Sequence, residues 1–342
     1  MAVHVLDNYY LSITFLITVA YQLFFFAIAF TYKFDKLTDF AGGTNFVVLA
    51  IITLALSDNR DHARNIVVSL FIMVWGLRLS GFLLFRILKT GKDDRFDDKR
   101  DNFFKFLGFW IFQMLWVWTV SLPVTILNSP EVAESNYRET PFGTGQDITG
   151  IVLYVVGLIM ETVSDTQKYR FRSAHGNDGS ICDKGLFSWS RHPNYFGEMI
   201  IHFGIWVISI SPALRGDVNR GARNALIASV VGPLFLTFLL MFVSGLPLQE
   251  RPGAKKRYEK GSRGRWEAYS RYLNRTSILI PFPPQLYTRT PIWLKRTLFL
   301  EFPIYVFDPV KHSDQSKPQI DAGQSRVSQH GGRPSDEEAL QR

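Results

Sequence analysis

YLSITFLITVAYQLFFFAIAFTY, residues 10–32, runs for 23 positions without a charged side chain. A helix needs about 20 mostly apolar residues to cross a bilayer. The stretch is too long for the core of a signal peptide and lacks a small-residue cleavage site, so it reads as an uncleaved span. Similar blocks at roughly 40–57, 65–88, 103–127, 148–165, 195–214 and 225–245 predict six more. The second and fifth blocks are short and interrupted by glycine. Composition agrees: 47% of residues are apolar and only 20% charged, and the apolar ones come in blocks rather than amphipathic stripes. Backbone without water must hydrogen-bond to itself, so the expected fold is an all-α polytopic bundle of about seven transmembrane helices.

Charge orients the bundle. Of the 38 lysines and arginines, 31 fall in the segments 31–45, 86–105, 165–194 and 246–342, which alternate with segments holding only six. The positive-inside rule then puts the N-terminus in the lumen and the C-terminus in the cytosol. The net charge of +8 is accounted for by topology and calls for no nucleic acid. A single thiol, Cys182, excludes an internal disulfide, and no Cys/His cluster suggests a metal. One domain is expected over 1–309, with a polar, disordered tail at 310–342.

Charged groups in a bilayer usually face a cavity or one another. Glu161, Asp165, Lys168 and Arg172 are spaced i, i+4, i+7, i+11 at the end of the fifth block, and make one face of a helix leaving the membrane. Asn194, Glu198 and His202 descend the sixth block at i, i+4, i+8. Simpler readings exist: a solvated helix with i,i+4 pairs for the first ladder, and an interfacial helix start around Pro193 for RHPNYFGE at 191–198. Arg78, mid-span in the third block, serves either a substrate or as counter-ion to Glu161 or Glu198. Lys168, Arg172 and Arg191 beside the exposed amides of a helix start suit phosphates. Trp189 and Tyr195 suit a planar ring. GTGQDITG at 143–150 has the wrong glycine spacing for a dinucleotide fingerprint.

DTQKYRFR (165–172), DKGLFSWSRHPNYFGE (183–198), SGLPLQER (244–251) and RWEAYSRYLNRTSILIPFPP (265–284) resemble the membrane steroid 5-alpha-reductase-like superfamily. DKLTDFAGGTNF (35–46) and GKDDRFDDKRDNFFKFLGFWIFQMLWVW (91–118) resemble its DUF1295 branch in particular. Sterol reductases and isoprenylcysteine carboxyl methyltransferases are similar over the C-terminal half. The resemblance implies a cytosol-facing NADPH cavity, with the cofactor-binding half at about 148–285. The implied cofactor residues are Asp165, Lys168, Arg172, Asn194, Tyr195 and Glu198, with Arg191 and His192 preceding the helix and Glu161 on the first ladder. Glu250, Tyr258 and Tyr269 match the closing segment. The glutamine and glutamate with which steroid 5-alpha-reductases hold a substrate ketone have no match in FAGGTNFVVLAIITLAL, which argues against a steroid. Asp39, Asn45 and Arg78 are read as the substrate-facing set, and Tyr195 or Asp39 as the proton donor.

The expected function is an NADPH-dependent reductase of a carbon–carbon double bond in a lipid drawn from the bilayer of the endoplasmic reticulum. The alternative is an S-adenosylmethionine-dependent lipid or prenylcysteine methyltransferase. A membrane protein without catalysis would leave both polar ladders unexplained.

Overall fold

The computed structural model describes residues 3–34, 37–90, 102–135, 137, 140–176 and 179–312. The tail expected to be disordered at 310–342 lies outside these from 313 onward, its first three residues being helical, and the charged stretch 91–101 lies wholly outside them. The described chain is helical and polytopic, as its apolar blocks require. Helices α1 (Leu11–Thr31), α2 (Leu37–Leu56), α3 (Ala63–Thr90) and α4 (Phe103–Val120) are followed by short α5 (Leu122–Leu127) and α6 (Pro130–Ala133). Then come α7 (Gly145–His175), α8 (Pro193–Ser209), α9 (Ser211–Arg215), α10 (Arg220–Ala228) and α11 (Val231–Phe238). A π-turn over Leu239–Val243 leads into α12 (Leu246–Lys260), followed by α13 (Arg263–Arg275), α14 (Pro284–Arg289), α15 (Ile292–Thr297) and, after a 3-10 turn at Pro303–Tyr305, α16 (Pro309–His312).

Proline and polar residues divide the longer blocks. The fourth ends at Val120, where Ser121 and Pro123 start a new helix, and the sixth breaks at Ile210 before Pro212. Six helices or helix runs among the described residues are long and apolar enough to cross a membrane. α8, counted among the seven expected spans, has 17 residues and falls short of that length.

The distribution of side chains is that of a protein solvated by lipid. Along α1, Phe15, Leu16 and Phe24 face outward while Thr14, Thr18 and Gln22 are buried. Gln22 donates from Nε2 to Asn45 Oδ1 on α2 (3.0 Å) and accepts at Oε1 from Gln113 Nε2 on α4 (2.9 Å). In lipid an unbonded amide is costly, so polar groups turn inward and find one another.

The glycines that interrupt the second and fifth blocks are contact surfaces. A Cβ on Gly157 would lie 2.6 Å from the carbonyl oxygen of Gly197, and one on Gly150 2.5 Å from that of Gly204. The reversed order of these pairs makes α7 and α8 antiparallel, with their backbones touching. α2 and α3 approach in the same way at Gly43 and Gly76. α7 opens with a capping box between Thr144 and Asp147, and Asp147 also receives Arg64 through Nε (2.9 Å) and Nη2 (2.8 Å). From this anchor the 31-residue helix rises about 46 Å at 1.5 Å per residue, so its last turns project beyond a 30 Å hydrocarbon layer.

Candidate functional site

The projecting end of α7 and the start of α8 form the site. The approach to α8 is tied down by the chain that follows α13: Arg191 N–H donates to Ser277 O (2.8 Å) and Ser190 Oγ to Leu279 O (2.7 Å). Pro193 then opens the helix with no side-chain cap on its amides. The reading of RHPNYFGE as merely a helix start accounts for Pro193 and not for the polar side chains that follow it.

Three layers of polar and charged side chains are stacked here. Deepest, Arg78 of α3 donates from Nη1 to Glu161 Oε1 (2.5 Å) and from Nη2 to Asp165 Oδ2 (2.6 Å). Trp75 Nε1 donates to the other oxygen of Glu161 (3.2 Å). Glu198 is near enough to interact electrostatically with Glu161, Asp165 and Arg78. The counter-ion reading of Arg78 therefore holds for Glu161 and extends to Asp165. One turn further in, His202 is 2% exposed and lies edge-on to Trp75, with ring centroids 4.3 Å apart. Its Nε2 has no partner among the described residues.

The middle layer is neutral. The Tyr195 ring stacks on His192 at 5.2 Å, and its hydroxyl accepts a hydrogen bond from Gln249 Nε2. Gln249 Oε1 in turn accepts from Lys168 Nζ (3.3 Å). Asn194 Oδ1 is buried with no partner among the described residues, an orphan acceptor at the mouth of the cluster.

The outer layer is cationic. Lys168 and Arg172 of α7 feel one another, and Arg86 from α3 acts electrostatically on both, with Arg257 from α12 adding to the field at Arg172. Cys182 faces this group. Burial pushes its thiol above the ordinary value, while Lys168 and Arg172 pull the other way. Positive groups from three helices thus act on one another at this end of α7.

Other expected site residues sit elsewhere or do other work. Arg191 is not a phosphate ligand in waiting: Nη1 binds Glu250 Oε2 and Nη2 binds Glu301 Oε1, both at 2.5 Å, and it is almost fully buried. Burial alone would weaken its hold on a proton, but the two carboxylates outweigh this and raise its pKa. His192 donates or accepts at Nε2 with Glu250 Oε1 (2.6 Å), and burial holds its pKa below the usual histidine value. Glu250 is thus consumed by Arg191 and His192. Tyr258 packs on Trp266 and Phe307, and Tyr269 lies under the Arg257 guanidinium at 4.5 Å. Asn45 belongs to the Gln22–Gln113 network, and Asp39 lies half-buried in the first turn of α2.

Gln249, Arg86, Arg257 and Glu301 carry site geometry that the sequence reading missed. Gln249 lies inside the quoted SGLPLQER, one position from the acid that drew attention. Glu301 lies 110 residues from Arg191, and no spacing links them.

A family model described as "Protein of unknown function (DUF1295)" matches residues 25–276. The chain belongs to the DUF1295 family. The matched stretch takes in α2 to α13 and so every member of the three layers. No curated protein and no solved structure matches the chain.

Proposed function

We propose that this DUF1295 protein is an NADPH-dependent reductase of a carbon–carbon double bond in a lipid substrate. The observation that carries the reading is the cluster of Lys168 and Arg172 on α7 with Arg257 from α12, close to Tyr195 and to the unpartnered Oδ1 of the preceding Asn194. The donor set fits a nucleotide: Lys168 and Arg172 suit phosphates, and the orphan Asn194 acceptor suits an amide or hydroxyl donor. It fits S-adenosylmethionine poorly, since a sulfonium brings positive charge and no phosphate.

Bound NADPH would supply a hydride to an electron-poor double bond. The chain's part is to hold and to protonate. Arg172 and Lys168 hold phosphate oxygens, while Gln249 ties Lys168 to Tyr195 and keeps the phenol in place. Tyr195, whose hydroxyl accepts from Gln249, and Asp39 are the two candidate donors to the second carbon. Glu161 and Asp165, held by Arg78, set the negative floor that keeps phosphates at the outer end. The substrate enters laterally from an endoplasmic reticulum bilayer, with the site on the cytosolic side.

Cys182 is the chain's one cysteine and lies at the cationic layer, so its alkylation reports on that layer alone. In detergent, NADPH is expected to slow labelling of Cys182 by a maleimide and to raise the melting temperature, with S-adenosylmethionine doing neither. Arg172→Ala should weaken NADPH binding by about 1.5–3 kcal/mol, as for a charge-assisted hydrogen bond. Protection by S-adenosylmethionine instead, or by neither ligand in folded protein, would sink the reading.

Orientation has its own check. Asn274 begins the sequon Asn274–Arg275–Thr276 near the end of α13. On the cytosolic side it carries no glycan when expressed in a eukaryotic membrane. An endoglycosidase-sensitive mass shift that disappears in Asn274→Gln would reverse the assigned topology.

A further inference from the structure

Residues 284–300, PQLYTRTPIWLKRTLFL, hold Arg289, Lys295 and Arg296 and no acid. They lie beyond the stretch matched by the family model. The inner side of this segment is well packed: Tyr287 and Phe299 are buried, with ring centroids 5.2 Å apart, and the Tyr287 hydroxyl donates to Glu301. The outer side is different. Leu286, Ile292, Trp293 and Leu298 are all more than half exposed, Trp293 at 65%. Arg289 and Arg296 are exposed and make no side-chain hydrogen bond or ion pair among the described residues. Lys295 lies over the Tyr287 ring at 4.2 Å.

Two contacts fix where this surface sits. Tyr305 Oη donates to Met241 O (2.6 Å), and Phe302 stacks on Phe242 with centroids 5.9 Å apart. Met241 and Phe242 end the last apolar run, so the segment lies at the level where the bundle leaves the hydrocarbon. Phe282 N–H donates to Trp189 O (3.1 Å), which ties it to the approach to α8 at the same level. Tryptophan and aliphatic side chains flanked by arginine are what the headgroup layer takes up.

We propose that residues 284–300 form an anchor for an anionic phospholipid surface. Ile292, Trp293 and Leu298 enter the headgroup boundary, and Arg289 and Arg296 pair with anionic headgroups, while Lys295, which donates to Asn274 O (3.2 Å), adds to their field. Glu301 follows directly and holds Arg191, so the anchor sets how firmly this segment clamps the start of α8. The proposal stands apart from the reductase reading, since it needs neither a cofactor nor a substrate.

The test is hydrogen exchange over 284–300 in full-length protein, reconstituted in nanodiscs of phosphatidylcholine alone or with added phosphatidylserine. Exchange is expected to be roughly tenfold slower in the anionic discs, as two exposed cations at a charged surface allow. High salt should remove the difference. Arg289→Gln with Arg296→Gln, both at exposed positions, should abolish the lipid dependence. Inorganic phosphate added to neutral discs should not replace phosphatidylserine. Equal exchange of the wild-type protein in both discs, or equal protection by inorganic phosphate, would overturn the proposal.

Discussion

Arg191→Met is expected to cost about 3–5 kcal/mol of folding stability, because it leaves Glu250 and Glu301 facing one another in a buried site without their shared cation. The methionine nearly fills the space, so the loss is electrostatic rather than a cavity effect. Arg191→Lys should recover only part of it, since one ammonium cannot reproduce the fork that reaches two carboxylates at once. Adding Glu250→Gln to Arg191→Met should recover more, by removing one of the stranded charges. The measurement is a denaturation curve in detergent for each variant, alongside NADPH affinity. A stable Arg191→Met protein that had lost only its nucleotide affinity would restore Arg191 to the phosphate role that its position before α8 suggests.

Gly157→Ala is expected to destabilise by about 1–3 kcal/mol, the usual range for overpacking, and Gly157→Leu to prevent folding. The added Cβ meets a backbone carbonyl oxygen of α8 at 2.6 Å, which cannot turn away, and Cγ1 of both Ile200 and Ile201 at 2.8 Å. α7 and α8 must then separate. Lys168 and Arg172 ride on one helix and Asn194, Tyr195 and Glu198 on the other, so NADPH affinity should fall even in alanine variants that still fold. Gly108→Ala is the control: nothing lies within 4 Å of its added methyl, and alanine favours a helix by about 1 kcal/mol. Equal melting temperatures for Gly157→Ala and wild type would mean that α7 and α8 are less tightly joined than described.

The helical character of this chain was readable because lipid makes the simplest demand a solvent can make. Residues 10–32 satisfy it without exception, and α1 follows within a residue or two. The breaks at Ser121 and Ile210 were harder to see, since a proline in an apolar block signals either a kink or a new helix. Glycine in the second and fifth blocks has a role that the sequence alone did not reveal. It weakens a helix in isolation, yet Gly43, Gly150 and Gly157 sit where another backbone arrives. The polar ladders were legible through i,i+4 spacing, which places Glu161 and Asp165 on one face. Which charge each ladder residue would meet was not. Arg78 meets Glu161 across 83 residues, and Arg191 spends its charge on two acids from the closing segment. Local periodicity carries no information about such pairings. Arg86 and Arg257 escaped for the same reason: each looks like one more basic residue outside the membrane.

The amide network of Gln22, Asn45 and Gln113 constrains how the chain is made. α1 and α2 enter the membrane early in synthesis, and there Gln22 Nε2 satisfies the Asn45 oxygen. The Gln22 oxygen must wait for Gln113, 91 residues later, which also donates to Thr38 O at the head of α2. Until α4 emerges, the α1–α2 hairpin carries an unsatisfied carbonyl through hydrocarbon, and the nascent chain has reason to stay beside the insertion machinery. The three amides that lock the finished bundle therefore make the pairing of the first two helices depend on the fourth, which supplies the last donor.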